Sequence, residues 1–121
     1  MTAPNPPLRP ARPAIPQPRG ILTAQQLTMF RAMLEEQRRF RVDQLTAAAA
    51  PAPTAAAREV ASAILQAARV ALRDIDAALQ RMADGTYGKC TGCGVPLRLE
   101  RLEILPQAAL CMECQRDAAR T

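Results

Sequence analysis

Histidine and tryptophan are absent from this chain of 121 residues, and lysine occurs once, at Lys89. Tyr87, Phe30 and Phe40 are the only aromatic side chains. These absences bound the chemistry first. There is no imidazole to act as a general base, no phosphate-binding glycine loop and no convergent pair of carboxylates, so an enzyme is not expected. Much of the apolar content is alanine, which buries little area. A core built from it needs helix pairing and a staple such as a metal. No segment approaches the roughly 20 apolar residues of a membrane span. Prolines interrupt the N-terminus too often for a signal-peptide core. A cytoplasmic, reduced protein without membrane contact is expected, in which clustered cysteines bind metal or do redox work. Acidic residues are missing from the whole stretch before Glu35, while four arginines precede it.

The chain reads as three parts. Residues 1–20 hold seven of the eleven prolines, with Arg9, Arg12 and Arg19 between them. Proline removes backbone donors and blocks helix, which predicts a disordered basic tail. Residues 21–84 predict a helical hairpin. Thr23 with Gln26 forms a capping box, flanked by Leu22 and Leu27 as a hydrophobic staple. The helix that follows, about 24–48, carries Leu27, Phe30, Met33, Leu34, Phe40 and Leu45 on one face, interrupted by Gln37 and Arg41. Pro51 and Pro53 end it and mark a tip at about 47–53. Thr54 can cap a second helix, about 54–83, with Leu65, Ala68, Leu72, Ile75, Leu79 and Met82 at helical spacing and Gly85 as its left-handed C-cap. Two such helices can bury their stripes economically as an antiparallel coiled coil. A monomer is expected, with a parallel dimer of hairpins as the other packing.

Residues 85–121 form the cysteine module, with a short C-terminal helix. Cys90, Cys93, Cys111 and Cys114 are spaced C-x2-C-x17-C-x2-C. Each C-x2-C turn places two thiolates on one side of a tetrahedral ion, and Gly92 and Gly94 permit the tight backbone. A redox pair needs only one C-x-x-C, opening a helix of an alternating strand–helix fold that is missing here. The four cysteines are therefore the expected ligands of one structural zinc in a closed site. As thiolates around zinc they would lower the formal charge of +5 to +3, a modest basic bias.

The run from Asp74 to Asp117 resembles the DksA/TraR family of bacterial transcription regulators, over 44 of the 121 residues. The resemblance is carried by "GTYGKCTGCG", by "RLE" at Arg101–Glu103, by Pro106 and by the closing "CMEC". It implies a partner, RNA polymerase, bound without a DNA sequence being read. The hairpin would enter the polymerase secondary channel, with the zinc module at its rim. Two departures stand out. The family's acidic D-x-x-D-x-A tip aligns with Ala47, Ala50 and Ala52, and Asp43 is the only carboxylate nearby. The basic residues expected for guanosine tetraphosphate, before Pro106 and after the last cysteine, are Leu105 and Gln115, which argues against coupling to that nucleotide. Arg98 and Arg101 remain as anion candidates or plain surface. Two alternatives stay open: a coiled-coil adaptor for another protein, and a DNA-binding zinc finger. The short tail "QRDAART" suits base reading poorly.

Overall fold

The computed structural model describes residues 22–120. The basic proline-rich tail expected for residues 1–20 lies outside them. Four helices follow in chain order: α1 (Ala24–Ala48), α2 (Ala55–Asp84), α3 (Leu99–Ile104) and α4 (Met112–Arg120). Among the described residues there is no strand, only an isolated antiparallel bridge between Lys89 and Pro96.

Local chemistry sets the ends of the two long helices. Thr23 accepts a hydrogen bond from the Gln26 backbone N–H (3.0 Å), and the Gln26 side chain accepts one from the Thr23 N–H (2.9 Å), so the capping box is complete. Thr54 Oγ1 accepts from the Ala57 N–H at 3.0 Å and starts α2. Gly85 closes α2 at φ +81°, a left-handed conformation in which a side chain would be strained. At 1.5 Å per residue α1 and α2 run about 37 and 45 Å, packed against each other as an antiparallel hairpin.

The packing changes character along the rod. At the base, Phe30 and Leu34 of α1 and Ile75 and Ala78 of α2 are buried in one cluster with Tyr87, Cys90, Leu97 and Leu102 of the cysteine module. Hairpin base and module thus share a single core. Toward the tip the inward positions of α1 continue in steps of four and three through Gln37, Arg41, Gln44 and Ala48, all half-buried. The facing residues of α2 shrink to Leu65, Ala61 and Ala57. Arg41 satisfies one donor on Gln44 (2.9 Å) within this seam.

Phe40 is where the expected apolar face of α1 fails. It sits one position before the seam residue Arg41 and is 58% exposed. The uninterrupted three–four spacing runs through the polar residues, so apolar identity alone misassigns the face. One ion pair, Arg38 to Asp76 at 2.8 Å, ties the helices on the half-exposed surface, worth at most about 1 kcal/mol.

The two phenylalanines should therefore behave oppositely. Phe30→Ala opens a cavity in the shared core and should cost about 3–5 kcal/mol. Phe40→Ser should stay within about 0.5 kcal/mol. Urea denaturation followed by circular dichroism compares them directly, and equal losses would place Phe40 in the core.

Candidate metal centre

The module is built from two short backbone knuckles. In the first, the Gly94 N–H donates to the Cys90 carbonyl (2.9 Å) and the Cys90 N–H to the Val95 carbonyl (2.8 Å), wrapping the chain around Cys90 and Cys93. The second presents Cys111 just before α4 and Cys114 in its first turn. The Thr91 N–H donates to the Ala109 carbonyl at 2.8 Å and fastens one knuckle to the other. Gly92 lies at the closest approach: a Cβ there would stand 3.1 Å from the Cys114 sulfur. That contact explains a glycine between the first two cysteines better than backbone freedom does.

All four sulfur atoms lie within 4.8 Å of one another, with Cys90 buried, Cys111 and Cys114 half-buried and Cys93 exposed. Zinc–sulfur bonds of about 2.3 Å in a tetrahedron require sulfurs roughly 3.8 Å apart. Cys93 and Cys111 stand 3.8 Å apart. Backbone donors are already aimed at the sulfurs. Cys90 Sγ accepts from the Cys111 and Gly92 N–H groups, each at 3.3 Å, and Cys111 Sγ accepts from the Cys114 N–H at 3.4 Å.

These donors have an electrostatic effect. Chiefly through the Cys111 N–H, they pull the Cys90 thiol down to about 6. Its neighbours, Cys90 foremost, push Cys114 well above the usual thiol range. Four sulfurs this close repel one another as thiolates, and a divalent cation removes that penalty. The donor set therefore fits a zinc ion, which would be held by sulfur alone with no position left for a substrate. The chemistry such an ion supplies is cross-linking of the two knuckles.

Three residues outside the cysteines brace the site, and the sequence had not marked them for this role. The Tyr87 hydroxyl donates to the Pro106 carbonyl at 2.7 Å, and its ring packs on Phe30 with centroids 6.0 Å apart. Burial pushes its pKa up to about 12, with Arg81 opposing. Arg81, on α2, donates to the Ala108 carbonyl at 3.3 Å. Arg101, an anion candidate from sequence, instead turns its Nε to the Leu110 carbonyl (3.0 Å) and approaches Met112 Sδ (3.0 Å), bracing the second knuckle. Arg98 lies exposed at the N-cap of α3 without a side-chain capping bond. The one available signal was the position of Tyr87, the chain's only tyrosine, beside the glycines that shape the module.

Fold and site together define a helical hairpin closed at its base by a four-thiolate zinc finger. Residues 85–120 match the family described as prokaryotic dksA/traR C4-type zinc finger. General stress protein 16O of Bacillus subtilis is 45% identical over 49 residues, covering 40% of this chain and 30% of that one. The RNA polymerase-binding transcription factor DksA of Caulobacter vibrioides is 45% identical over 47 residues, 39% of this chain and 33% of that one. These alignments span only about a third of the length of the curated relatives. The structure of transcription factor DksA2 from Pseudomonas aeruginosa superposes with a TM-score of 0.60 at 29% identity, covering 80% of this chain and 85% of that one. A Chlamydia trachomatis regulator superposes at 0.58 with 22% identity and shares the fold. Residues 85–120 thus carry a finger of the dksA/traR type on a hairpin similar to that of DksA2, and the ion such a finger calls for is structural zinc.

Two measurements check this site. Cys90→Ser or Cys114→Ser should drop zinc content from about one ion per chain to nearly none and loosen the base of the rod, because a tetrahedral site missing one thiolate is open. Unchanged zinc in either variant would remove that cysteine from the ligand set. Tyrosinate absorbance near 295 nm reports Tyr87 alone. Its pKa is raised on folding, so its contribution to stability is complete below about pH 10 and disappears as pH rises through about 12. The folded protein should titrate near 12; a midpoint near 10 would mean that the ring is solvated.

Proposed function

We propose that the chain is a DksA-like transcription regulator that binds RNA polymerase at the secondary channel. Cys90, Cys93, Cys111 and Cys114 hold the zinc that fixes the base, and the hairpin reaches inward. The observation that carries this reading is the superposition on DksA2 over most of both chains, hairpin and finger together. A match confined to the finger would have left the adaptor and DNA-binding readings level with it. The described surface also favours a protein partner over DNA. α4 follows the last knuckle directly, but beyond Cys114 it offers only Gln115, Arg116, Asp117 and Arg120, with Arg120 drawn toward Asp117 at 3.7 Å. None of the described helices is long and apolar enough to cross a membrane.

The tip departs from the pattern that the resemblance implies. Ala47, Ala49, Ala50 and Pro51 are exposed, and Asp43 lies more than a helical turn back along α1. Alanines cannot approach a Mg²⁺ ion as carboxylates do, so this tip acts by occupying space or by competing with other channel-binding factors. Leu105 and Gln115, both exposed, place no cation beside Pro106 or the last cysteine. The two missing cations weigh against coupling to guanosine tetraphosphate, and in this reading the regulator is a cytoplasmic monomer without catalysis of its own.

An iron-tethered cleavage reagent placed at Ala50 tests the placement against core RNA polymerase. Cuts clustered around the catalytic Mg²⁺ are the expected result. Binding without such cuts would favour an adaptor on the polymerase surface, and absence of binding would sink the polymerase reading.

A further inference from the structure

The least explained surface lies partway along the rod, where α1 passes α3. Phe40, Ile104 and Leu105 are 58%, 77% and 41% exposed, and they line one groove with Met33, Glu36 and Gln107. Phe40 is one of three aromatic residues in the chain, and Ile104 is the most exposed large apolar side chain described. Arg41 also borders the groove, with its guanidinium 5.6 Å from the Phe40 ring and a hydrogen bond to Gln44.

A fitting occupant is encoded in the same chain. Pro4, Pro7, Pro10, Pro13 and Pro16 recur at every third position. A polyproline II helix has three residues per turn, so this spacing puts all five rings on one face. The register that starts at Pro6 carries Arg9 and Arg12. Segments of this kind bind grooves lined by aromatic and apolar side chains, with little ordering entropy to lose.

We propose that the Pro4–Pro16 segment docks as a polyproline II strand in the groove formed by Phe40, Ile104 and Leu105 of its own chain. Reach permits it. The described chain begins at Leu22, whose side chain rests on Gly88 beside the module, on the Met33 side of the groove. The six steps from Pro16 to Leu22 span up to about 20 Å when extended. Met33 lies about 14 Å along α1 from its first residue. Three successive prolines of the register cover about 19 Å, enough to run past Met33 and Phe40.

Charge agrees with reach. Residues 1–20 carry three arginines and no acid, leaving 13 basic and 11 acidic residues in the rest of the chain. The zinc-loaded thiolate site contributes −2, so that remainder is neutral, since 13 − 11 − 2 = 0. The net positive charge of the loaded protein thus resides in the tail. Glu36 stands in the groove and Glu103 beside Ile104, both exposed and without an ion pair among the described residues. Glu36, which lines the groove, is the carboxylate available to the arginine register of the docked strand. This inference is independent of polymerase binding.

Nuclear magnetic resonance of the full-length, zinc-loaded, isotope-labelled protein tests it. Proline δ protons should show nuclear Overhauser contacts to the Phe40 ring, with intensities unchanged over an about tenfold dilution. Substituting Pro7→Ala, Pro10→Ala and Pro13→Ala together should abolish them and shift the Ile104 and Leu105 methyls while leaving Ile75 in place. Those substitutions lie outside the hairpin and module, so loss of the fold would not explain the change. Contacts seen only between differently labelled copies would assign the groove to a second molecule and overturn the intramolecular arrangement. Absence of contacts, with methyl shifts insensitive to the prolines, would overturn docking altogether.

Discussion

Mutual repulsion among four sulfur atoms within 4.8 Å of one another is the constraint on which the base of this protein rests. A divalent cation turns that repulsion into a cross-link. The cross-link holds two knuckles separated by 17 residues, and the chain between them delivers Pro106 to Tyr87. Through Tyr87 the constraint passes to Phe30 and so to the hairpin. A chain with three aromatic residues places two of them at this junction, where hairpin and module share their core. Backbone N–H groups aimed at Cys90 stabilise its thiolate before any ion arrives, so part of the cost of assembling the site is met by the fold.

Apolar burial fades with distance from that junction. The α1 seam passes from Phe30 and Leu34 to Gln37, Arg41 and Gln44, while the inward residues of α2 end in Ala61 and Ala57. The outer half of the rod therefore depends less on packing and more on helix propensity, which alanine supplies best. Thr54 and the two prolines, Pro51 and Pro53, define the turn without help from a core. A narrow, small-sided tip follows from the same composition that makes the core thin.

Legibility in the sequence tracked how local each cause was. The capping box at Thr23, the Thr54 cap and the Gly85 C-cap were readable because each is satisfied within a few residues. The cysteine spacing was readable because tetrahedral coordination restricts it. The outward turn of Phe40 was hidden because polar residues occupy its α1 seam and alanines face them, and a hydrophobicity pattern discards both. Arg101 was hidden for a related reason. Its partner, the Leu110 carbonyl, is a backbone atom nine residues away that carries no side-chain signature. The link from Tyr87 to Pro106 spans 19 residues and ends on a backbone carbonyl, which no local pattern marks.

Misreading Phe40 also bears on what the groove is for. Had it belonged to the seam, the surface between α1 and α3 would lack its aromatic wall, and Ile104 and Leu105 would be isolated apolar side chains of the ordinary kind. With Phe40 turned outward, the three form one patch beside a carboxylate. A polar seam and an exposed apolar groove are thus two consequences of one registration of α1 against α2. Phe40 cannot serve both, because the residue one place on, Arg41, already occupies the inward position. The stability that α1 forgoes by facing α2 with glutamine and arginine leaves an aromatic surface exposed beside α3.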